Sequence, residues 1–171
     1  SSDVCSSDLG MTRLLVVYFL ISALLVGLDQ WSKYLTVQNI SLGETKEFIP
    51  GFLSLTHLRN TGAAWSLLEG KMIFFYVITV IVSVVIIYLL IKNYKKSIWY
   101  SVGLSFVLAG AIGNFIDRVR LGYVVDMLQT DFMNFPIFNV ADSTLVVGVI
   151  CIFIYLILDE KAAKEGKNGT N

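Results

Sequence analysis

Four long apolar runs divide the chain. Leu14–Leu28 is uncharged, Met72–Ile91 gives twenty residues without charge, Ser97–Ile116 gives another twenty, and Ser143–Leu158 closes the series. Crossing the hydrocarbon layer takes roughly 20 apolar residues in a helix. The two middle runs have that length. The first reaches it if its helix continues to Tyr34, and the last if its helix starts near Asn139. The pattern predicts four membrane-spanning helices. In the third, Gly103, Ser105, Ala109, Gly110, Ala111 and Gly113 are small enough for close helix contact, which makes it central in the bundle.

Between the first two runs the pattern changes. K-E-F-I-P-G-F-L-S-L-T-H-L-R-N at 46–60 alternates apolar and polar residues around a Pro-Gly turn, the signature of short strands. N-T-G-A-A-W-S-L-L-E follows, which reads as a half-helix along the membrane interface with Trp65 at headgroup depth, or as a plain loop. The segment between Asn114 and Ser143 reads as a charged loop between two spans. The expected architecture is a mainly α membrane protein: four transmembrane helices, a small sheet on one side, and a loop or half-helix over a site.

The ends are set apart by composition. Ser1–Gly10 carries two aspartates and no basic residue, and Met11-Thr12-Arg13 reads like a start. Residues 1–10 are therefore expected to be a leader foreign to the fold. Residues 11–160 would form the single membrane domain, and 161–171 a polar, Lys-rich, frayed tail. The chain is 56% hydrophobic and only 15% charged, with a mean hydropathy of +0.71. That is well away from a soluble domain. Thirteen basic and thirteen acidic residues cancel, which excludes a basic field for nucleic acid. Cys5 and Cys151 are poor disulfide partners, His57 reads as a polar or loop histidine, and no Cys/His spacing suggests a metal site. The basic residues divide almost evenly between the two faces. Those near the termini and in the turn Lys92–Lys96 are packed into shorter segments, which favours termini inside.

The candidate chemistry lies at the span ends, where charge is costly and needs a reason. Asp29 and Lys33 are spaced i,i+4 on one helix face. A solvated pair closing the span and a charged brace beneath a site both fit. Asn114, Asp117 and Arg118 share one side of the third helix end. Arg118 can reach a carboxylate or a carbonyl there, while Arg120 is placed to snorkel. Asn139 suits an N-cap with Asp142 as the N3 acid, and the helix dipole favours an ionised group at that place. Asp126 follows Tyr123-Val124-Val125, where desolvation would raise its pKa. One ionised and one protonated carboxyl is what an aspartic protease dyad requires. Asp131, with no partner motif, reads as solvated. A proton-conducting or transport subunit would want acids near mid-span and repeat symmetry. A scaffold would use the same acids as interface anchors.

D-Q-W-S-K at 29–33, N-T-G-A-A-W at 60–65, G-N-F-I-D-R at 113–118, V-V-D at 124–126 and F-N-V-A-D-S at 138–143, in this order, resemble the motif set of the lipoprotein signal peptidase family, also called signal peptidase II. The resemblance covers Met11 to about Asp159. It implies a bacterial plasma (inner) membrane aspartic endopeptidase, multi-pass, with both termini cytoplasmic and its site at the extracytoplasmic face. The implied substrates are diacylglyceryl-modified prolipoproteins, cut just before the lipidated cysteine. By motif position Asp126 and Asp142 would be catalytic. Asn60, Gly62, Asn114, Arg118, Asn139 and Ala141 would line the site, Asp29 and Lys33 would support it, and Trp65 would lie in the covering loop. Two acids and a water suffice for this chemistry, so no metal or organic cofactor is required, and a monomer is enough.

Overall fold

A computed structural model describes residues 2–62, 68 and 70–168, and the side chains of all of these except 2–12 and 166–168. In chain order the elements are α1 (Ser2–Asn39), β1 (Thr45–Ile49), β2 (Leu53–Asn60), α2 (Met72–Asn93), α3 (Ile98–Leu121), β3 (Val124–Thr130) and α4 (Val140–Asn168). Among the described residues, four helical stretches are long and apolar enough to cross a membrane: Arg13–Asn39, Met72–Asn93, Ile98–Leu121 and Val140–Glu165. Large side chains on them, such as Leu24, Ile73, Val84 and Phe153, point outward, as expected where lipid replaces water.

Lipid gives helices no hydrophobic reason to associate, so close packing must hold them together. Helix α3 contacts the other three helices. At its crossing with α4 the backbones nearly touch: a Cβ added at Gly103 would lie 2.8 Å from the Gly148 carbonyl oxygen, and one added at Gly148 would lie 2.7 Å from that of Gly103. On the other sides Tyr18 of α1, Ile86 and Leu90 of α2, and Leu104 and Leu108 of α3 form the buried apolar cluster. Ser22 of α1 donates to the Ser105 carbonyl at 2.8 Å, tying α1 to α3. The central place expected for the glycine-rich span is observed.

The three strands form one antiparallel sheet in the order β1-β2-β3. Gly51, at φ +69°, closes the β1–β2 hairpin at the expected Pro-Gly turn. Register shifts interrupt β1 between Glu47 and Ile49 and β2 between Leu55 and Leu58.

Several expectations are corrected. The segment after α3 is a strand for seven residues, because Val124–Asp126 and Leu128–Thr130 pair with β2 instead of looping out. His57 lies in a strand, buried, with Nδ1 2.9 Å from the Ile40 carbonyl oxygen. Asp131 is exposed yet held, accepting from Ser54 Oγ at 2.7 Å. Over its described residues, the tail after Asp159 is helical and not frayed. Helix α4 runs on to Asn168, carried by Ala162-Ala163 and an i,i+4 pair of Lys164 with Glu160, both of which favour helix. The half-helix expected after Asn60, with Trp65, lies outside the described residues.

Candidate active site

The site forms where the C-terminal end of α1, the C-terminal end of α3, β3 and the start of α4 converge. Each charged side chain is fixed by its place on one of these elements. Asn139 caps α4: its Oδ1 accepts from the Asp142 N–H at 2.9 Å, and Asp142 Oδ2 accepts from the Asn139 N–H at 3.1 Å. This is a capping box with Asp in the usual Glu position. It points the free edge of the Asp142 carboxyl into a cavity of about 730 Å³. Asp126 reaches the same cavity from β3 and is only 2% exposed.

All four oxygens of the two carboxyls accept from neutral N–H groups. Asn60 Nδ2 donates to Asp126 Oδ2 at 2.9 Å, and Asn139 Nδ2 to Asp126 Oδ1 at 2.8 Å. Asn114 Nδ2 donates to Asp142 Oδ1 at 2.8 Å, completing the set with the Asn139 backbone. Among the described residues, no cation pairs directly with either acid. Burial therefore dominates at Asp126 and pushes its carboxyl up to about 6. The nearby Asp142 adds to the rise, while the Asn60 and Asn139 hydrogen bonds and Lys33 oppose it, each by favouring or disfavouring the charged form.

Beneath the acids lies a buried ionic brace. Lys33 Nζ is 2.8 Å from Asp29 Oδ2, 3.0 Å from Asp117 Oδ2 and 3.1 Å from Asn114 Oδ1. Each carboxylate of the brace also holds the backbone one residue before a cavity acid. Asp29 Oδ1 accepts from the Ala141 N–H at 2.9 Å, and Asp117 Oδ2 from the Val125 N–H at 3.0 Å. Asp29 and Lys33 are thus buried and paired, not a solvated pair closing the span. Gly113 makes this possible, since a Cβ there would lie 2.7 Å from Asp29 Oδ2.

Arg118 is partly buried beside the cavity. It donates from Nη2 to the Gly62 carbonyl at 3.2 Å. Its guanidinium carbon lies 4.3 Å over the Phe75 ring, a cation–π contact. Its Nε is buried without a partner among the described residues. Gly62 is fixed in turn by its N–H, which donates to Asn60 Oδ1 at 2.9 Å. Arg120 is exposed at the end of α3. Thus Asp29, Lys33, Asn60, Gly62, Asn114, Arg118, Asp126, Asn139, Ala141 and Asp142 are brought to one place. Two members were missed. Asp117 was visible in sequence beside Arg118, but its partner is Lys33, far along the chain. Gln30 donates to Asp117 Oδ1 at 2.9 Å and to the Gly113 carbonyl at 3.2 Å; only its position inside D-Q-W-S-K marked it.

The cavity has two characters. Asn60, Asn114, Arg118 and the two acids form the polar end, and Ile78, Val82, Leu145, Val146 and Val147 continue it as an apolar wall within the spans. Four spans with such a two-ended cavity at their ends define a multi-pass membrane protein.

The comparisons narrow the class. A family model described as signal peptidase (SPase) II matches residues 21–158. A lipoprotein signal peptidase of Lactiplantibacillus plantarum is 53% identical over 148 residues, covering 86% of this chain and 99% of the relative. One from Streptococcus thermophilus is 51% identical over 139 residues, covering 81% and 91%. Among solved structures, a bacterial membrane enzyme determined by the in meso method at 2.3 Å superposes with a TM-score of 0.80 at 44% identity, covering 84% of this chain and 89% of that one. A second, at 1.9 Å, gives 0.76 at 45% identity, covering 82% and 92%. The chain belongs to the signal peptidase II family.

Proposed function

We propose that the chain is an aspartic endopeptidase that removes signal peptides from lipoprotein precursors, with Asp126 and Asp142 as its catalytic pair. The observation that carries this reading is the two carboxyls on one cavity, each oxygen held by a neutral donor. Among the described residues no direct ion pair locks both in the ionised form. Such a pair shares one proton, because two like charges facing one cavity resist joint ionisation.

Asp126, the more buried acid, holds the proton. Asp142, at the positive end of the α4 dipole, is the base. Asp142 takes a proton from a water as its oxygen attacks the scissile carbonyl carbon, and Asp126 gives its proton to the carbonyl oxygen. In the resulting gem-diol, Asp126 takes back the hydroxyl proton while Asp142 delivers its own to the amide nitrogen. The C–N bond then breaks, leaving a carboxylic acid and a free amine. Asn60, Asn114 and Asn139 hold the carboxyls in orientation. Asp29 and Lys33, with Asp117, fix the backbone beneath them. Arg118, Gly62 and Ala141 shape the polar end.

The apolar wall supports a substrate whose cysteine already carries diacylglycerol: acyl chains stay among the spans while the peptide enters the polar end. Cleavage falls just before that cysteine. Residues 11–160 make up the working unit, a monomer suffices, and both termini lie on the cytoplasmic side with the acids at the outer face. The short, Lys-rich segments near the termini and at Lys92–Lys96 support that orientation. The test is purified protein with two forms of one precursor, diacylglyceryl-modified and unmodified. Release of the signal peptide from the modified form alone, with cysteine at the new N-terminus, is expected. Equal cleavage of both forms, or cleavage elsewhere, overturns the reading.

A further inference from the structure

The end of the sheet farthest from the acids is apolar and outward-facing. Phe48 is the residue skipped by the register shift in β1, so it pairs with nothing across the hairpin. A bulge of this kind re-aims a side chain. Phe48 is 62% exposed. Phe52 in the hairpin turn and Phe132 after β3 stack with ring centroids 5.0 Å apart, yet remain 53% and 57% exposed. Met133 beside them is also exposed. A stacked aromatic pair that stays half bare is not a core.

This tip is continuous with the lipid-facing surface. From Phe132 the chain returns through Phe135, whose ring packs edge-on against Phe138 at 5.8 Å. Phe135 and Phe138 line the same cavity as Val146 and Val147, which lie more than one turn inside α4 and are themselves exposed. The return loop therefore reaches down to the level of the spans instead of standing off in water. The charge near the tip argues further. Asp131 is tied to Ser54, and Lys46 is drawn away to Glu44 and the Asn39 carbonyl. Among the described residues, then, the tip presents no basic cluster for anionic headgroups.

We propose that this tip, Phe48, Phe52, Phe132 and Met133, is seated in the interfacial layer of the bilayer that the chain spans, and that it holds the cavity mouth at the acyl boundary. Aromatic rings favour that layer, and an apolar face there enters it by roughly 5–10 Å. Seating depends on apolar area and not on lipid charge. It rests on the membrane-spanning fold and not on the assignment of the acids.

The test uses full-length protein with Cys5 and Cys151 replaced by serine. A nitroxide is placed at a single cysteine in Phe132→Cys or, separately, Phe52→Cys, with Lys164→Cys in the exposed tail as the aqueous control. Each variant is reconstituted at one copy per phosphatidylcholine nanodisc. Collision of the label with oxygen, relative to a water-soluble nickel chelate, is expected to be several-fold higher at both tip positions than at the control. Adding phosphatidylglycerol should leave the ratio unchanged. Equal access of the nickel chelate to tip and tail overturns the proposal. So does protection that appears only when two copies share a disc, since a second copy would then be the cover.

Discussion

Asp126→Asn separates the cost of burying this carboxylate from everything else the residue does. Burial raises the Asp126 pKa from 3.8 to about 6, so the folded chain binds that proton more tightly than the unfolded chain. The contribution to stability is therefore complete below pH about 4 and is lost as pH rises through about 6. The displacement corresponds to roughly 3 kcal/mol, all of it felt above pH about 7. Asn cannot ionise and so escapes that loss. It also gives up one acceptor, because Asn60 and Asn139 both donate to Asp126. Losing one such bond costs about 1 kcal/mol at every pH. The difference between pH values, not the sign at any one, isolates the ionisation. Thermal unfolding in nanodiscs at about pH 4.5 and about pH 8 is the assay. Relative to wild type, Asp126→Asn should gain about 5–10 °C between the two conditions. A melting difference that does not change with pH would refute the reasoning, because Asp126 would then ionise as easily when folded as when unfolded.

Other perturbations probe the supporting shell. Lys33→Met leaves Asp29 and Asp117 buried without their cation. That should cost about 3–5 kcal/mol, read as a large fall in melting temperature. Gly113→Ala puts a methyl against Asp29 and, through it, shifts Ala141 next to Asp142. The chain should fold while kcat for precursor cleavage falls by up to ~100-fold, with KM little changed. Asn60→Ala removes a donor that favours the ionised form of Asp126, so its pKa moves up. The alkaline fall in kcat/KM should then move to higher pH.

The spans were legible because lipid imposes a simple condition, long uncharged runs, and all four runs became helices. Their ends were harder. The helices continue past their apolar segments wherever a charged residue finds a partner, as Lys33 does with Asp29 and Lys164 with Glu160. The Asn139–Asp142 capping box was readable because its partners lie within one helical turn. Strand β3 was not, since its pairing partner lies on a hairpin before the second span, and nothing local to β3 sets that register. The same separation hid Asp117, which in sequence stands beside Arg118 and in space belongs to Lys33. Contacts within a helical turn follow from spacing, and contacts between elements need the fold. The motif order marked where those contacts would gather, and Gln30 shows that a residue inside a motif can matter before its partner is known.

The proposed mechanism requires Asp126 and Asp142 to act together on the peptide bond. The most direct measurement is cleavage of a diacylglyceryl-modified prolipoprotein by wild type, Asp126→Asn and Asp142→Asn, each first shown to be folded by its melting transition in nanodiscs. Cleavage by wild type, with both folded variants inactive, is the predicted result. Cleavage by either variant at the wild-type rate would contradict it.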